Sequence, residues 1–520
     1  MNPLTRSARP GRSHLDDVLD SPHGGPLKHT PPSIVGMTSL APDTATTTAE
    51  HRLTGSLGPG PIVFMVVAAA APLTVIAGGA PLGILLGNGP GYPAMFAAVA
   101  LVLLPFSVGL STMSRLVPKP GAFFTYVGYG LDRRWGLGAA YLALLTYTAV
   151  QVAVYAYLGF SLNMTITALG GPELPWWLYT LAVIGLVGYL GYRHIELSSK
   201  VLGLLLIGEI LIVLALGVAV IATGGAEGLS LAPFAPANVV SGAPGVGLMF
   251  AAAGFIGFES TAIYRDEARQ PERTIPRATY AAVILIGVFY TFGAWVLVMA
   301  EGPSKVLEIA GQDPGAMVIN VTAAYLGPIG GAIVNVLLLT SLFACVLSFH
   351  NVIARYQHSM AHAGTLPAVL KGVHPVHGSP SPSSLAQTVT TAVLVVVLAV
   401  AGLDPVLAVF TWLSGVATLG VVVLMALTSL AVMVFFARHR DVVGSVWETR
   451  ILPAVGLIGL VVMTALIVAY FPVLVGGGPA LTVGLIATVP LALAGGYAQA
   501  VHLRARKPEL YADLTDHISA

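Results

Sequence analysis

Two of the most apolar stretches of this chain are interrupted by glycine at corresponding places. The first interruption is Ala77-Gly78-Gly79-Ala80-Pro81-Leu82-Gly83, within a hydrophobic run that opens near Pro61. The second is Ala253-Gly254-Phe255-Ile256-Gly257-Phe258-Glu259, within residues 247–264. Backbone that leaves the helix in hydrocarbon strands N–H and C=O groups at several kcal/mol each, unless it is buried in protein or lines a cavity. The chain must therefore enclose both interruptions. Paired interruptions in two halves of a membrane protein point to a site for a small solute.

A soluble domain carries about 25% charged residues. This chain carries 9% charged and 56% hydrophobic residues, with a mean hydropathy of +0.84. Too little polar surface is available to cover it in water, so the expected class is an all-α polytopic membrane protein. The net charge of +1 identifies no partner, and nothing points to nucleic acid. The single cysteine, Cys345, excludes an internal disulfide and a cysteine metal cage. Residues 1–57 are rich in Pro, Ser, Thr, Asp and Arg without an apolar core, and read as a disordered cytoplasmic tail.

A span needs about 20 apolar residues. About twelve segments meet that criterion, near 61–86, 93–116, 136–168, 176–192, 199–222, 246–264, 278–300, 328–358, 385–403, 407–437, 451–473 and 480–502. Threading them alternately from a cytoplasmic N-terminus leaves the basic residues on one side. Arg115, Arg133, Arg134, Arg193, Arg269, Arg355, Arg438 and Arg504 all follow even-numbered segments, and only Lys305 falls on the other face. Opposite loops hold Glu173, Glu227, Glu301, Glu308, Asp313 and Asp404. This is the positive-inside bias, and it puts both termini in the cytoplasm of a cell-membrane protein. Segments one to five and six to ten each open with an interrupted helix entered from opposite sides. That pattern implies a five-plus-five inverted repeat, with two further helices appended. The expected divisions are 58–222, 223–440, 441–503 and a cytoplasmic C-terminal tail, 504–520, which has no folded appearance.

Three stretches carry a family resemblance. Gly254-Phe255-Ile256-Gly257-Phe258-Glu259-Ser260, followed by Asp266-Glu267-Ala268-Arg269-Gln270-Pro271-Glu272-Arg273-Thr274-Ile275-Pro276-Arg277-Ala278, resembles the sixth-helix signature of the amino acid–polyamine–organocation permeases. Pro118-Lys119-Pro120-Gly121-Ala122-Phe123-Phe124-Thr125-Tyr126-Val127 resembles the loop before their third helix, and Gly364-Thr365-Leu366-Pro367 the exit of their eighth. The resemblance runs over about residues 58 to 440. Gly78-Gly79-Ala80-Pro81 departs from it, standing where many members read Gly-Ser-Gly-Ile, and Pro81 removes one donor.

A broken helix exposes amides at one half and carbonyls at the other. The segment Ala77, Gly78, Gly79, Ala80 and Leu82 is a candidate donor set for a substrate carboxylate. Ala252, Ala253 and Gly254 are candidate acceptors for an ammonium, with Gly257 in the same break. The resemblance implies that these stretches grip the common part of an amino acid. One glycine-rich helix alone reads better as close helix packing. Two at matched positions, beside the signature, favour a site. Phe255 and Phe258 are candidate gates, with Trp412 a weaker one, although an aromatic in a span is more often packing.

Two carboxylates lie within spans, where an ionisable group is costly and marks function by default. Glu209 sits roughly 13 Å along its helix from Lys200. The resemblance aligns it with a position where relatives place a lysine thought to replace sodium. Desolvation favours the neutral form of such a carboxyl, so Glu209 is the first candidate for proton coupling, against a neutral hydrogen-bonded group at even odds. Glu259 either biases a gate or caps the broken helix. Gln151 occupies a region that faces ligand in relatives, and the absence of an acid nearby favours a neutral amino acid or small amine. Thr340 and Ser341 resemble a sodium-binding hydroxyl pair of distant members, against the usual habit of such hydroxyls of bonding back to their own helix.

The leading expectation is a secondary transporter that imports an amino acid by alternating access, coupled to protons and needing no cofactor. A polyamine or small-amine permease, or an exchanger, is the alternative. A nutrient sensor and a membrane-embedded enzyme are remote, the latter because converging catalytic groups are absent.

Overall fold

The computed structural model describes residues 57–117, 123–193, 199–261, 268–439 and 445–518. The N-terminal tail, Pro118–Ala122 of the third-helix motif and Arg265, Asp266 and Glu267 of the basic–acidic run lie outside the described residues. The described backbone is helical, joined by turns, with one isolated bridge between Leu57 and Ala268. Ten described helices are long and apolar enough to cross a membrane.

The first apolar segment is split. Helix α1 is Pro59–Ala69, and α2 occupies residues 72–88. The break falls at Ala70 and Ala71, about two turns before the glycines that sequence singled out, and Ala71 takes a left-handed backbone (φ 46°). The expected interruption at Ala77–Gly83 is instead wound. Val75–Gly79 and Gly83–Asn88 form wide turns on either side of Ala80–Leu82. Such turns accommodate Pro81, whose ring would clash with the carbonyl four residues back in a regular helix.

Helices α3 (Pro93–Ser114), α4 (Phe123–Gly130), α5 (Arg133–Ala168), α6 (Trp176–Tyr192) and α7 (Ser199–Thr223) follow. The second interrupted segment consists of α8 (Pro244–Ala253) and tight turns up to Thr261. It breaks where expected: Gly257 has φ 105°, a conformation that L side chains rarely adopt. Then come α9 (Pro271–Glu301), α10 (Met317–His362), α11 (Ser381–Val400), α12 (Thr411–Arg438), α13 (Leu452–Val475) and α14 (Pro479–Arg506). Helix α10 bends at non-helical Gly327, just ahead of Pro328.

The C-terminal tail departs from expectation. Residues Pro508–Ile518 form an amphipathic helix, α15, with Leu514 buried and Leu510 against Gly364. Every third or fourth residue of that segment is apolar, which a reading focused on spans passes over.

Helix α5 is the most enclosed span, with 78% of its apolar window buried, against 17% for α14. It packs against α4, α6, α10, α12 and α14, so its faces meet protein while α14 meets lipid. Asp132 starts it: Oδ1 accepts from the amides of Arg134 (2.7 Å) and Trp135 (3.3 Å), and Oδ2 pairs with the Arg134 guanidinium. Partial burial works to raise the Asp132 pKa, but these donors outweigh it and hold it below the ordinary carboxylate value. Asp132→Ala is expected to lower stability by about 0.5–2 kcal/mol, and Asp132→Asn by less. Because the folded value is lowered, the contribution is complete above about pH 4 and fades as pH falls through the folded value. Thermal unfolding of the purified variants between pH 7 and pH 3 measures both.

Candidate functional site

The peptide groups released at the first break are taken by side chains of two other helices, and a third helix serves the carbonyl that Pro81 leaves unpaired. The Leu73 amide, in the first turn of α2, donates to Glu209 Oε2 at 2.9 Å from α7. The Tyr290 hydroxyl of α9 donates to the Ala70 carbonyl (3.3 Å). Pro81 has no N–H for the Ala77 carbonyl four residues back, and the Tyr157 hydroxyl of α5 donates to that carbonyl (3.1 Å) and also to Gly315 (3.0 Å). The Gly78 backbone passes under the same ring, where a Cβ would lie 2.9 Å from it. The Ala80 amide stays within the helix, bonded to Val75.

The second break is held by Glu259. Its Oε2 accepts from the Gly257 amide two residues back (2.9 Å), while Oε1 accepts from the Tyr147 hydroxyl of α5 (3.2 Å). Glu259 is thus the cap of the broken segment and its tie to α5. Tyr147 also packs edge-on to Tyr356 of α10.

Between the two breaks lies a cavity of ≈ 60 Å³. Of the residues expected to bind solute, the structure brings Gly79, Ala253 and Gly254 to its wall. Ala70, Ala71, Thr74 and Val75 join them from the first break, and Phe250, Val150, Val154, Phe349 and Phe410 supply apolar faces.

Other candidates sit elsewhere. Phe255 packs edge-on to Tyr290 and Phe258 to Phe106, both behind the wall. Trp412 is partly buried outside the cavity, whereas Phe410, two residues earlier, lines it. Gln151 is fully buried in an amide chain: Nε2 donates to Val346, and Oε1 accepts from Gln387, which in turn accepts from Gln357. Thr340 donates to the Val336 and Leu337 carbonyls of its own helix. Ser341 does not: it accepts from Thr74 (3.2 Å), and its hydroxyl also reaches the Glu209 carboxyl.

Sequence reasoning missed Tyr157, Tyr290 and Thr74. The available signal was a tyrosine hydroxyl in an apolar run, which must find a partner once buried. Among the described residues no group of three or more His, Cys, Asp or Glu could hold a metal.

Apolar helices enclosing a small pocket between two broken segments have the build of a membrane carrier for small solutes. The chain belongs to the amino acid permease family, whose model matches residues 62–512. That family consists of transporters, not enzymes. The chain is similar to the low-affinity putrescine importer of Escherichia coli (strain K12), at 21% identity over 64% of this chain and 73% of that protein. It is also similar to an uncharacterized transporter of Mycobacterium tuberculosis (strain ATCC 25618 / H37Rv), 25% identical over 72% and 78%. A third relative is the serine/threonine exchanger of Bacillus subtilis (strain 168), 24% identical over 56% and 66%. This protein is a multi-pass membrane transporter of amino acids or amines.

Removing the Glu259 carboxyl leaves the Gly257 amide without its acceptor. Glu259→Leu is expected to lower stability by about 1–3 kcal/mol, while Glu259→Gln, which keeps an acceptor oxygen, loses less. Thermal unfolding in detergent compares the two.

Proposed function

We propose that the protein imports an amino acid across the cell membrane by alternating access, with a proton carried on Glu209 as the coupling ion. Both termini are cytoplasmic in this reading. Residues 58–222 and 223–440 are inverted repeats, and 441–503 are the appended helices. The observation that carries the proposal is the Leu73–Glu209 hydrogen bond, because it ties an ionisable group to the backbone at the break itself.

A hydrogen bond to an ionised acceptor contributes about 1.5–3 kcal/mol, against about 0.5–1.5 for a neutral one. Proton loading on Glu209 therefore loosens its hold on Leu73, and release tightens it. A route for the proton runs from the cavity wall: Thr74 lines the pocket, Ser341 accepts from Thr74, and the Ser341 hydroxyl reaches Glu209. The substrate carboxylate meets first-break backbone around Ala70, Ala71 and Gly79, and its ammonium meets the carbonyls at Ala253 and Gly254. The donors at Gly78, Ala80 and Leu82 join only if the wide turns of α2 open on binding. Tyr157 closes one mouth by joining α2 to the loop at Gly315, and Tyr147 with Glu259 closes the other. A polyamine permease or an exchanger is the second reading, favoured by the names of two relatives. A polyamine has no carboxylate to engage the first break.

The test is uptake of labelled amino acids and amines into liposomes under imposed proton or sodium gradients. Glu209→Gln is expected to cut gradient-driven accumulation at least tenfold while exchange across the membrane persists. Full dependence on the proton gradient in that variant removes Glu209 from the coupling.

A further inference from the structure

The chemistry of the pocket wall narrows the substrate beyond an amino acid or amine. None of the lining side chains is Asp, Glu, Lys, Arg or His. A charged side chain in such a pocket would lose its hydration without a counter-ion, a cost that apolar walls cannot offset. Val150 and Val154, one turn apart on α5, and the Phe349 ring on α10 supply apolar faces of this wall. β-Branched valines are stiff at χ1 and yield little space by rotation.

Three polar side chains interrupt this apolar wall, and one of them, Thr74, already donates to Ser341. Ser414 of α12 is 5% exposed and lines the cavity, and its hydroxyl has no hydrogen-bond partner among the described residues. Other described hydroxyls without a partner, such as those of Thr146 and Thr418, lie off the cavity wall. Most other helix hydroxyls, such as Ser107, Thr322 and Thr428, donate back to a carbonyl of their own turn. The Cys345 thiol of α10 lines the same space and is 8% exposed. The Ser414 hydroxyl faces the cavity and is not spent on its own helix, so a ligand hydroxyl there has a hydrogen-bond partner.

We infer that the substrate is a neutral α-amino acid with a hydroxyl-bearing side chain, and that Ser414 is the residue that selects it by hydrogen-bonding the side-chain hydroxyl. This rests on the permease reading above. With the common part held at the two breaks, the side chain is directed at the α10–α12 wall, where Ser414 and Cys345 are the polar groups. A diamine fits this wall less well: the carbonyls at Ala253 and Gly254 serve one ammonium, and the second meets no anionic side chain among the lining residues.

The experiment is competitive uptake into liposomes with the full chain, using serine, threonine, alanine, leucine, lysine and putrescine. Serine and threonine are expected to compete at least tenfold better than lysine or putrescine. Ser414→Ala is expected to lower the preference for serine over alanine several-fold, up to about tenfold, with alanine uptake retained. Equal uptake of putrescine or lysine, or an unchanged serine-to-alanine ratio in Ser414→Ala, overturns the inference and leaves the permease reading standing. Failure to move any amino acid or amine overturns both.

Discussion

A peptide N–H released inside a hydrocarbon slab must find an acceptor, and in this protein the acceptor at the first break is a carboxylate from another helix. The pairing of Leu73 with Glu209 has two consequences at once. It makes a left-handed Ala71 tolerable, a conformation costing of order 1–3 kcal/mol in isolation. It also places an ionisable group where its protonation changes the hold on the break. Tyr290 on Ala70 and Tyr157 on Ala77 complete the pairing from α9 and α5. The first broken helix is thus held open by side chains rather than by its own ladder.

Helix α5 links the two breaks. Tyr147 and Tyr157 lie ten residues apart on it, roughly 15 Å along its axis, with Val150 and Val154 between them on the cavity wall. One hydroxyl bonds the first broken helix and the other bonds Glu259, which caps the second. Any movement of one break relative to the other is therefore felt on a single helix. The enclosure of α5 by protein on nearly every face suits it to stay in place while the broken segments move around it.

The amide chain of Gln151, Gln387 and Gln357 has a different role. It joins α5, α10 and α11 through hydrogen bonds between fully or nearly buried side chains. With no water available, each amide depends on the next, which fixes the rotation of three helices about their axes. Beside it, His350 of α10 bonds Ser384 of α11 at 2.8 Å. These contacts stiffen the side of the bundle that carries Cys345 and Phe349.

Composition alone dictated the class, because 9% charged residues cannot cover a chain of 520 in water. Helices were legible from apolar run lengths, and the second break from Gly254 and Gly257, since only glycine readily takes the φ of 105° found there. Glu209 was legible as a charge inside an apolar run. The first break was not: Gly78 and Gly79 look like an opening, but they permit a close approach of Tyr157 and wide turns around Pro81, while two alanines adopt the strained backbone. The local mark of the first break is Pro72, which lacks an N–H and disfavours α geometry at Ala71. The arrival of Glu209 and Tyr290 from distant positions then pairs the peptide groups released there. That Gln151 and Phe255 lie off the cavity wall was not legible either, because which way a span rotates is set by its neighbours. Membrane burial is a property of single segments and can be read one segment at a time, whereas the pairing of released peptide groups exists only when helices far apart in sequence meet.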